Sequence, residues 1–285
     1  MSSIELIMPV RPGPDHRSRF RNRSAYAQIV RARLRTSLIY RQNVLFLLLV
    51  TVVQIFILRK VWTALYDGRA SAAGLSIHAM IVYITLASMQ NWVMQDPTVM
   101  FYMYNRIREG KIAFDLMRPV GFVPQMFAQL AGSTISSCGF VVCALPIVAF
   151  TGALDAPASM TAVPLYVVSL AAGWTTTMLL TLILAMIGFW TLEVQGLTML
   201  YLLVGQFFAG VLVPLPLFPT PLRILAEALP FQSTAYTPVS IFVGRLTGWH
   251  AVVAIGVQLA WIAGLGLLTS LIWRRALHRV VVQGG

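Results

Sequence analysis

Apolar residues along the chain gather in long runs, which are separated by shorter polar or proline-rich segments. A helix that crosses a bilayer needs about 20 mostly apolar residues, and six stretches come close to that length. The predicted spans are residues 42–62, 75–94, 124–150, 163–189, 196–213 and 249–273. The pattern therefore predicts an all-α polytopic membrane protein with six transmembrane helices and with both termini on the same side of the membrane.

The N-terminal segment has two parts with different patterns. Residues 1–23 carry three prolines and scattered arginines, which predicts a disordered basic tail. After residue 24 the apolar positions recur every four residues, at Tyr26, Val30, Leu34 and Leu38. We expect an amphipathic interfacial helix over residues 24–41, which opens a single membrane domain of residues 24–285. A cytoplasmic extension of the first span is the alternative.

The region from residue 214 to 248 is the second unusual segment. It holds six of the chain's 15 prolines around the apolar piece Leu222 to Leu229. Prolines interrupt helices, and irregular backbone exposed to lipid would leave its amide groups without hydrogen-bond partners. We therefore predict short re-entrant helices on the outer side of the membrane.

The composition excludes a soluble globular domain. Hydrophobic residues make up 58% of the chain and charged residues only 11%, with a mean hydropathy of +0.77. Soluble domains carry roughly 25% charged residues, because a surface that faces water needs them. The net charge of +12 does not indicate a nucleic-acid partner, since the basic residues lie at the ends of apolar segments. Membrane lipids are the expected surroundings.

The distribution of Lys and Arg predicts the orientation, because loops on the cytoplasmic side carry more of them. Sixteen of the 21 lie on the side of the termini: Arg11, Arg17, Arg19, Arg21, Arg23, Arg31, Arg33, Arg35, Arg41, Arg106, Arg108, Lys111, Arg118, Arg274, Arg275 and Arg279. The other five lie on the opposite side. We therefore expect a multi-pass protein of the bacterial cytoplasmic (inner) membrane with both termini in the cytoplasm.

Signatures of catalysis are missing from the sequence. It contains no G-x-x-x-x-G-K-[ST] phosphate loop, no H-E-x-x-H, no C-x-x-C and no G-x-S-x-G. Charged residues lie at or near the predicted span boundaries, which leaves His78 as the one ionisable residue inside a span. We predict no catalytic, cofactor-binding or metal site in this chain, so the energy for any transport would come from elsewhere.

The loop from residue 96 to 119 contains the most informative motif. The stretch Ile107-Arg-Glu-Gly-Lys-Ile-Ala-Phe-Asp-Leu-Met-Arg-Pro-Val120 resembles the segment I-R-x-G-x-[IL]-x-x-D-L-x-R-P-V of type 2 ATP-binding cassette (ABC) exporter permeases. The resemblance is closest to a six-span branch grouped with drug and viologen exporters. It extends in outline over nearly the whole chain, including the break Gly210-Val-Leu-Val-Pro-Leu-Pro216.

The resemblance implies a division of labour between subunits. The chain would be the permease, paired with an identical or paralogous second permease, while two copies of a separate ATPase bind ATP and Mg. In this family the loop after span two docks onto the ATPase. The coupling residues implied here are Arg106, Ile107, Arg108, Glu109, Gly110, Lys111, Ile112, Phe114, Asp115 and Arg118.

The physical character of the loop suits such a contact. Ile112 and Phe114 can supply an apolar anchor and the basic residues a charged rim. Asp115 and Arg118 are three residues apart and are expected to pair on one helix face. The alternative is that these charges only mark a cytoplasmic loop.

Polar and bulky residues in spans two and five are candidates for a substrate path. They are Gln90, Asn91, Gln195, Met199, Gln206 and Phe207. Hydrogen bonding between packed helices is the alternative role for the polar ones. The sequence thus favours the membrane subunit of an ATP-driven exporter of amphipathic or lipophilic molecules, working by alternating access, over a membrane scaffold or assembly factor that transports nothing.

Overall fold

The computed structural model describes residues 16–39, 41–66, 71–72, 74–95, 98–117, 121–150, 152–191 and 195–283. Helices form nearly all of this part of the chain. They are α1 His16–Ile39, α2 Arg41–Tyr66, α3 Ile77–Met94, α4 Thr98–Arg108, α5 Ile112–Leu116, α6 Phe122–Phe150, α7 Ala162–Ile187, α8 Gln195–Phe208, α9 Thr220–Glu227, α10 Tyr236–Phe242 and α11 Gly248–Gln283. Two short 3₁₀ helices, Leu215–Leu217 and Pro230–Ser233, flank α9, and the strands Ser71–Ala72 and Leu75–Ser76 pair antiparallel before α3.

Among the described residues, three helices contain apolar stretches long enough to cross a bilayer: Leu49–Tyr66, Ala162–Ile187 and Gly248–Leu277. Large apolar side chains on α2 and α11, such as Phe46 and Leu267, point away from the bundle. Outward surfaces of this kind suit lipid rather than water. The predicted fold class, an all-α polytopic membrane protein, is confirmed. The number of six spans stays a prediction.

The helix bounds agree with the predicted spans in the middle of the chain and differ near its ends. α3, α6 and α7 begin and end within two residues of prediction. α2 continues four residues beyond 62, and α11 continues ten residues beyond 273. α8 ends at Phe208, five residues earlier than predicted, and its 14 residues extend only about 21 Å.

The N-terminal helix differs from prediction in its start. α1 begins at His16, so residues 16–23, predicted to be disordered, are helical, while residues 1–15 lie outside the described part. The helix packs lengthwise against the first half of α6. The Gly121 N–H donates to Tyr26 Oη at 3.2 Å, and a Cβ at Gly132 would lie 2.9 Å from Arg33 Cβ. Gly132 thus admits α1 closely; the place of α1 in the membrane interface stays a prediction.

A methionine-rich core joins α4 to α6 and α7. Its fully buried members include Met100 and Met103 of α4, Met126 of α6, and Met178 and Met186 of α7. Methionine fills irregular gaps between helices because its side chain is flexible and polarisable. α4 therefore belongs to the helical bundle, and much of the loop predicted at 96–119 is helix packed against other helices. Residues 96–97 and 118–119 lie outside the described part.

The break after α8 is fixed by contacts from other elements. Gly210 has a φ of +75°, which glycine adopts without strain, and the Tyr83 hydroxyl of α3 donates to the Gly210 carbonyl at 2.9 Å. The Tyr236 N–H donates to the Ala209 carbonyl at 3.0 Å. A Cβ at Gly210 would lie 2.6 Å from Leu215 Cδ1. These contacts end α8 before the apolar residues 211–213.

Candidate coupling site

Residues 98–117, which include the described part of the motif, form a helical hairpin made of α4, a turn and α5. We call it the α4–α5 hairpin. α4 ends where the Glu109 N–H donates to the Asn105 carbonyl and the Gly110 N–H to the Ile107 carbonyl, at 2.9 and 3.1 Å. Gly110 follows with a φ of +67°. A left-handed glycine after the last helical turn is a common helix terminator. It turns α5 back toward α4.

A buried ion pair closes the hairpin. Arg106 Nε of α4 lies 2.7 Å from Asp115 Oδ2 of α5. Asp115 is 0% exposed and Arg106 22%, and the guanidinium also lies 5.8 Å from the Tyr102 ring centroid. The hydrogen bond to Asp115 raises the pKa of Arg106 above its usual value, against the opposing effect of burial. Asp115 thus pairs with Arg106, while the predicted pairing of Asp115 with Arg118 stays a prediction, because Arg118 lies outside the described residues.

The turn carries a second, exposed ion pair. Lys111 Nζ lies 2.7 Å from Glu109 Oε2, and both side chains are about half exposed. The hydrogen bond from Lys111 lowers the pKa of Glu109. Exposed pairs of this kind add little stability. With exposed Arg108 they give the tip of the hairpin a mixed, mostly basic rim.

The two predicted apolar anchors have different surroundings. Ile112 is 5% exposed and packs in the methionine-rich core, with Ile107 packed against the same core. Phe114 is 66% exposed and Met117 80%. The expectation that Ile112 faces outward is therefore wrong: Ile112 and Phe114 are two residues apart, so they lie on nearly opposite faces of α5, and the face with Ile112 packs against the core. Phe114 and Met117 form the outward apolar surface of the hairpin.

The candidates for a substrate path lie on two helices, two of them on α3 and four on α8. Gln90 is buried, and its Nε2 donates to Tyr166 Oη at 2.7 Å, so it joins α3 to α7. The carbonyl of neighbouring Asn91 accepts the Gln95 N–H at the end of α3. For Gln90, this hydrogen bond between α3 and α7 supports helix packing, which is the alternative to a role in a substrate path.

The four remaining candidates lie on α8. Gln195 and Met199 are exposed on α8, one helical turn apart. Phe207, two turns further, is partly exposed and stacks on Phe218 with ring centroids 4.9 Å apart. Gln206 is half-buried, and its carbonyl accepts the Val211 N–H at 3.3 Å. α8 thus presents a mostly apolar outward stripe in which Gln195 is the polar end.

Sequence reasoning missed a buried polar cluster centred on Gln258 of α11. The Gln258 amide donates to the Ser169 and Ser233 carbonyls and accepts from Ser169 Oγ. All three residues are buried. The signal was available, because Gln258 is the only amide side chain in the apolar stretch 249–273, and polar side chains inside spans bond between helices.

These features define a class of protein: an integral membrane helical bundle that carries a hairpin with a charged turn and an exposed apolar surface. The family follows from comparison with known proteins. Residues 48–284 match the family model described as ABC-2 family transporter protein. The match covers most of the chain, so the chain belongs to that family and is an ABC-2 type permease subunit. α1 precedes the matched residues.

Membership has direct consequences for the role of the chain. ABC-2 permeases are the membrane components of ABC transport systems and are not themselves catalytic. The family implies a partner subunit that binds ATP. No curated protein matches the chain.

Proposed function

We propose that this permease exports an amphipathic or lipophilic molecule across the bacterial cytoplasmic membrane by alternating access. It works with an identical or paralogous second permease and with two copies of a separate ATPase, which bind ATP and Mg. The observation that carries this proposal is the α4–α5 hairpin: Phe114 and Met117 are exposed, whereas Met100, Met103 and Ile112 of the same hairpin are buried. An exposed apolar pair rimmed by charge suits a soluble protein partner.

The contacts of the α4–α5 hairpin would pass a movement of α5 on to α4 and α7. Ile112 anchors α5 in the methionine-rich core, and the Arg106–Asp115 pair holds α5 against α4. α4 in turn packs on α7 through Met100 and Met103. Closure of an ATPase dimer that grips Phe114 and Met117 would therefore displace α4 and α7 together.

Purification through a tag on this chain tests the proposal. The wild-type permease should co-purify an ATPase from its natural host, and hydrolysis should disappear when the phosphate-loop lysine of that ATPase is replaced. Truncating Phe114 and Met117 to alanine should release the ATPase, since apolar anchors in interfaces often contribute 2 kcal/mol or more.

The matched control truncates Ile224 and Leu225 of α9, which are also apolar and exposed. This control should retain the ATPase. A wild-type complex that contains no ATPase would overturn the proposal, and an ATPase that binds without any export by the complex would favour the scaffold alternative.

The orientation is a separate part of the proposal and rests on the charge asymmetry. In a variant without Cys138 and Cys143, cysteines placed at Asp155 and Leu225 should react with an impermeant thiol reagent in intact cells, and a cysteine at Lys111 should not. All three positions are exposed, so their reactivity depends on the side of the membrane. Labelling at Lys111 without permeabilisation would reverse the orientation.

A further inference from the structure

The 3₁₀ helix Pro230–Ser233, which we call the 230–233 helix, reaches the middle of α7. A Cβ at Gly173 would lie 2.5 Å from the Ser233 carbonyl oxygen. Gly173 is 11 residues after Ala162, the first residue of α7, or about 16 Å along its axis. α7 is 26 residues long. The 230–233 helix therefore lies near half the length of α7 rather than at its end.

Gln258 of α11 holds the 230–233 helix in this place. Its Nε2 donates to the Ser233 carbonyl at 2.8 Å and to the Ser169 carbonyl of α7 at 3.1 Å. Its Oε1 accepts from Ser169 Oγ at 2.9 Å. Both amide protons are used, so the amide cannot rotate without leaving a buried carbonyl unsatisfied. One side chain thus joins α7, α11 and the 230–233 helix.

The other side of the 230–233 helix contacts α8. The ring centroids of Phe231 and Tyr201 of α8 are 6.2 Å apart. A Cβ at Gly205 of α8 would lie 3.7 Å from the Phe231 ring. Phe231 also packs against the methionine-rich core that contains α4 and α7. The 230–233 helix therefore lies between α8 and the helices that hold the α4–α5 hairpin.

We propose that the 230–233 helix, positioned by Gln258, transmits movement of α7 to α8. This inference rests on the proposed function, because the movement begins at the ATPase-coupling hairpin. Gln258 is then a positioning residue: it touches no substrate, and it acts through the segment that it holds. Replacing its amide by an apolar group should let α7 move while α8 no longer follows.

Coupling through packed side chains is demonstrated only when a change at one site alters the response of another. The test uses the full complex of permease and ATPase, with Cys138 and Cys143 replaced. An environment-sensitive fluorophore is attached to a cysteine at Val167 of α7 or at Met199 of α8, both of which are exposed. The fluorescence change on adding Mg-ATP and vanadate is measured for each.

In the wild type both reporters should respond. In Gln258→Leu the Val167 reporter should keep its response and ATP hydrolysis should continue, while the response at Met199 should fall at least threefold. The matched control is Thr269→Val on the same helix, because Thr269 is buried and its hydroxyl bonds within α11, to the Leu265 carbonyl. Both reporters should respond normally in this control.

Ser169→Ala provides a second variant should Gln258→Leu fail to assemble. It removes the bond to Oε1 and keeps both amide donors, so a partial loss at Met199, about twofold, is expected. A normal Met199 response in the assembled Gln258→Leu complex, or in Ser169→Ala if the leucine variant does not assemble, would overturn the inference. Absence of any response at both reporters in the wild type would instead overturn the proposed function, and the inference with it.

Discussion

The α4–α5 hairpin and the 230–233 helix are both held in place by buried polar contacts. One contact is charged and the other is neutral. The hairpin uses an ion pair, Arg106 with Asp115, at the end of the bundle. The 230–233 helix uses the neutral amide of Gln258 beside the middle of α7. The guanidinium keeps some contact with solvent, whereas Gln258 is fully buried.

The difference follows from the cost of burying charge. An ionised group near the centre of a bilayer costs several kcal/mol, while at the membrane edge water reduces that cost. A neutral amide can satisfy backbone carbonyls at depth without this penalty. The comparison teaches that the depth of a buried polar contact decides whether it is charged or neutral. It also predicts how much stability each contact loses when one of its residues is replaced.

Replacing Arg106 by glutamine should cause the largest loss of stability. The Asp115 carboxylate would stay shielded from water after losing this guanidinium, which costs about 3–5 kcal/mol. Thermal unfolding of the purified permease in detergent measures the loss. Replacing both residues by apolar ones, Arg106→Met with Asp115→Leu, should restore most of the stability, because no charge is then left buried. A double variant as unstable as the single one would contradict this account.

Truncating Ile112 to alanine should have the next largest effect, because it leaves a cavity in the methionine-rich core. Such truncations cost about 2–5 kcal/mol. Phe114→Ala is the matched control on the same helix, and it should leave the unfolding temperature unchanged because its ring is exposed. Equal losses of stability in the two variants would contradict the buried position of Ile112 and the exposed position of Phe114.

Gly173→Ala tests the contact between α7 and the 230–233 helix. The new methyl group would meet the Ser233 carbonyl at 2.5 Å, and a backbone atom cannot move away cheaply. We expect a loss of about 1–3 kcal/mol. Gly256→Ala is the control, since a Cβ there meets nothing within 4 Å, and it should be neutral or slightly stabilising. Full stability in the Gly173 variant would place the 230–233 helix elsewhere.

The exposed pair between His78 and Asp155, 2.9 Å apart, should matter least. The Ala156 N–H, and after it His78, lower the pKa of Asp155. The stabilisation that the ionised Asp155 provides is therefore present above the usual carboxyl pKa. It is lost as the pH falls through the lowered pKa of Asp155 in the folded protein. Asp155→Asn should not measurably change the unfolding temperature at pH 7. A clear drop in the unfolding temperature at pH 7 that disappears in acid would contradict this expectation and show that the pair stabilises the fold.

The sequence predicted the helices whose apolar runs end at charges or prolines. α3, α6 and α7 are of this kind. The early end of α8 was missed because residues 211–213 are apolar. That end depends on Gly210 and on the hydroxyl of Tyr83, which is 127 residues away along the chain.

The sequence indicated a segment for the candidate site but not the contacts within it, and the role of that segment in coupling stays a prediction. Helical spacing predicted a partner for Asp115 only at Arg118 and missed Arg106, nine residues earlier, which the turn at Gly110 brings to Asp115. Ile112 and Phe114 are both apolar, so only the packing of α5 decides which of them is buried. Gln258 carries no charge, and its partners are two carbonyls and a hydroxyl that no motif identifies.

Photo-crosslinking in living cells tests the central claim most directly, namely that the α4–α5 hairpin docks onto the ATPase. Benzoylphenylalanine is placed at Phe114 and, as a control, at Phe150, an exposed phenylalanine at the far end of α6. Irradiation should link the Phe114 variant to an ATP-binding subunit, identified by mass spectrometry, and should leave the Phe150 variant without that adduct. No adduct at Phe114, or an equal adduct at Phe150, would contradict the account.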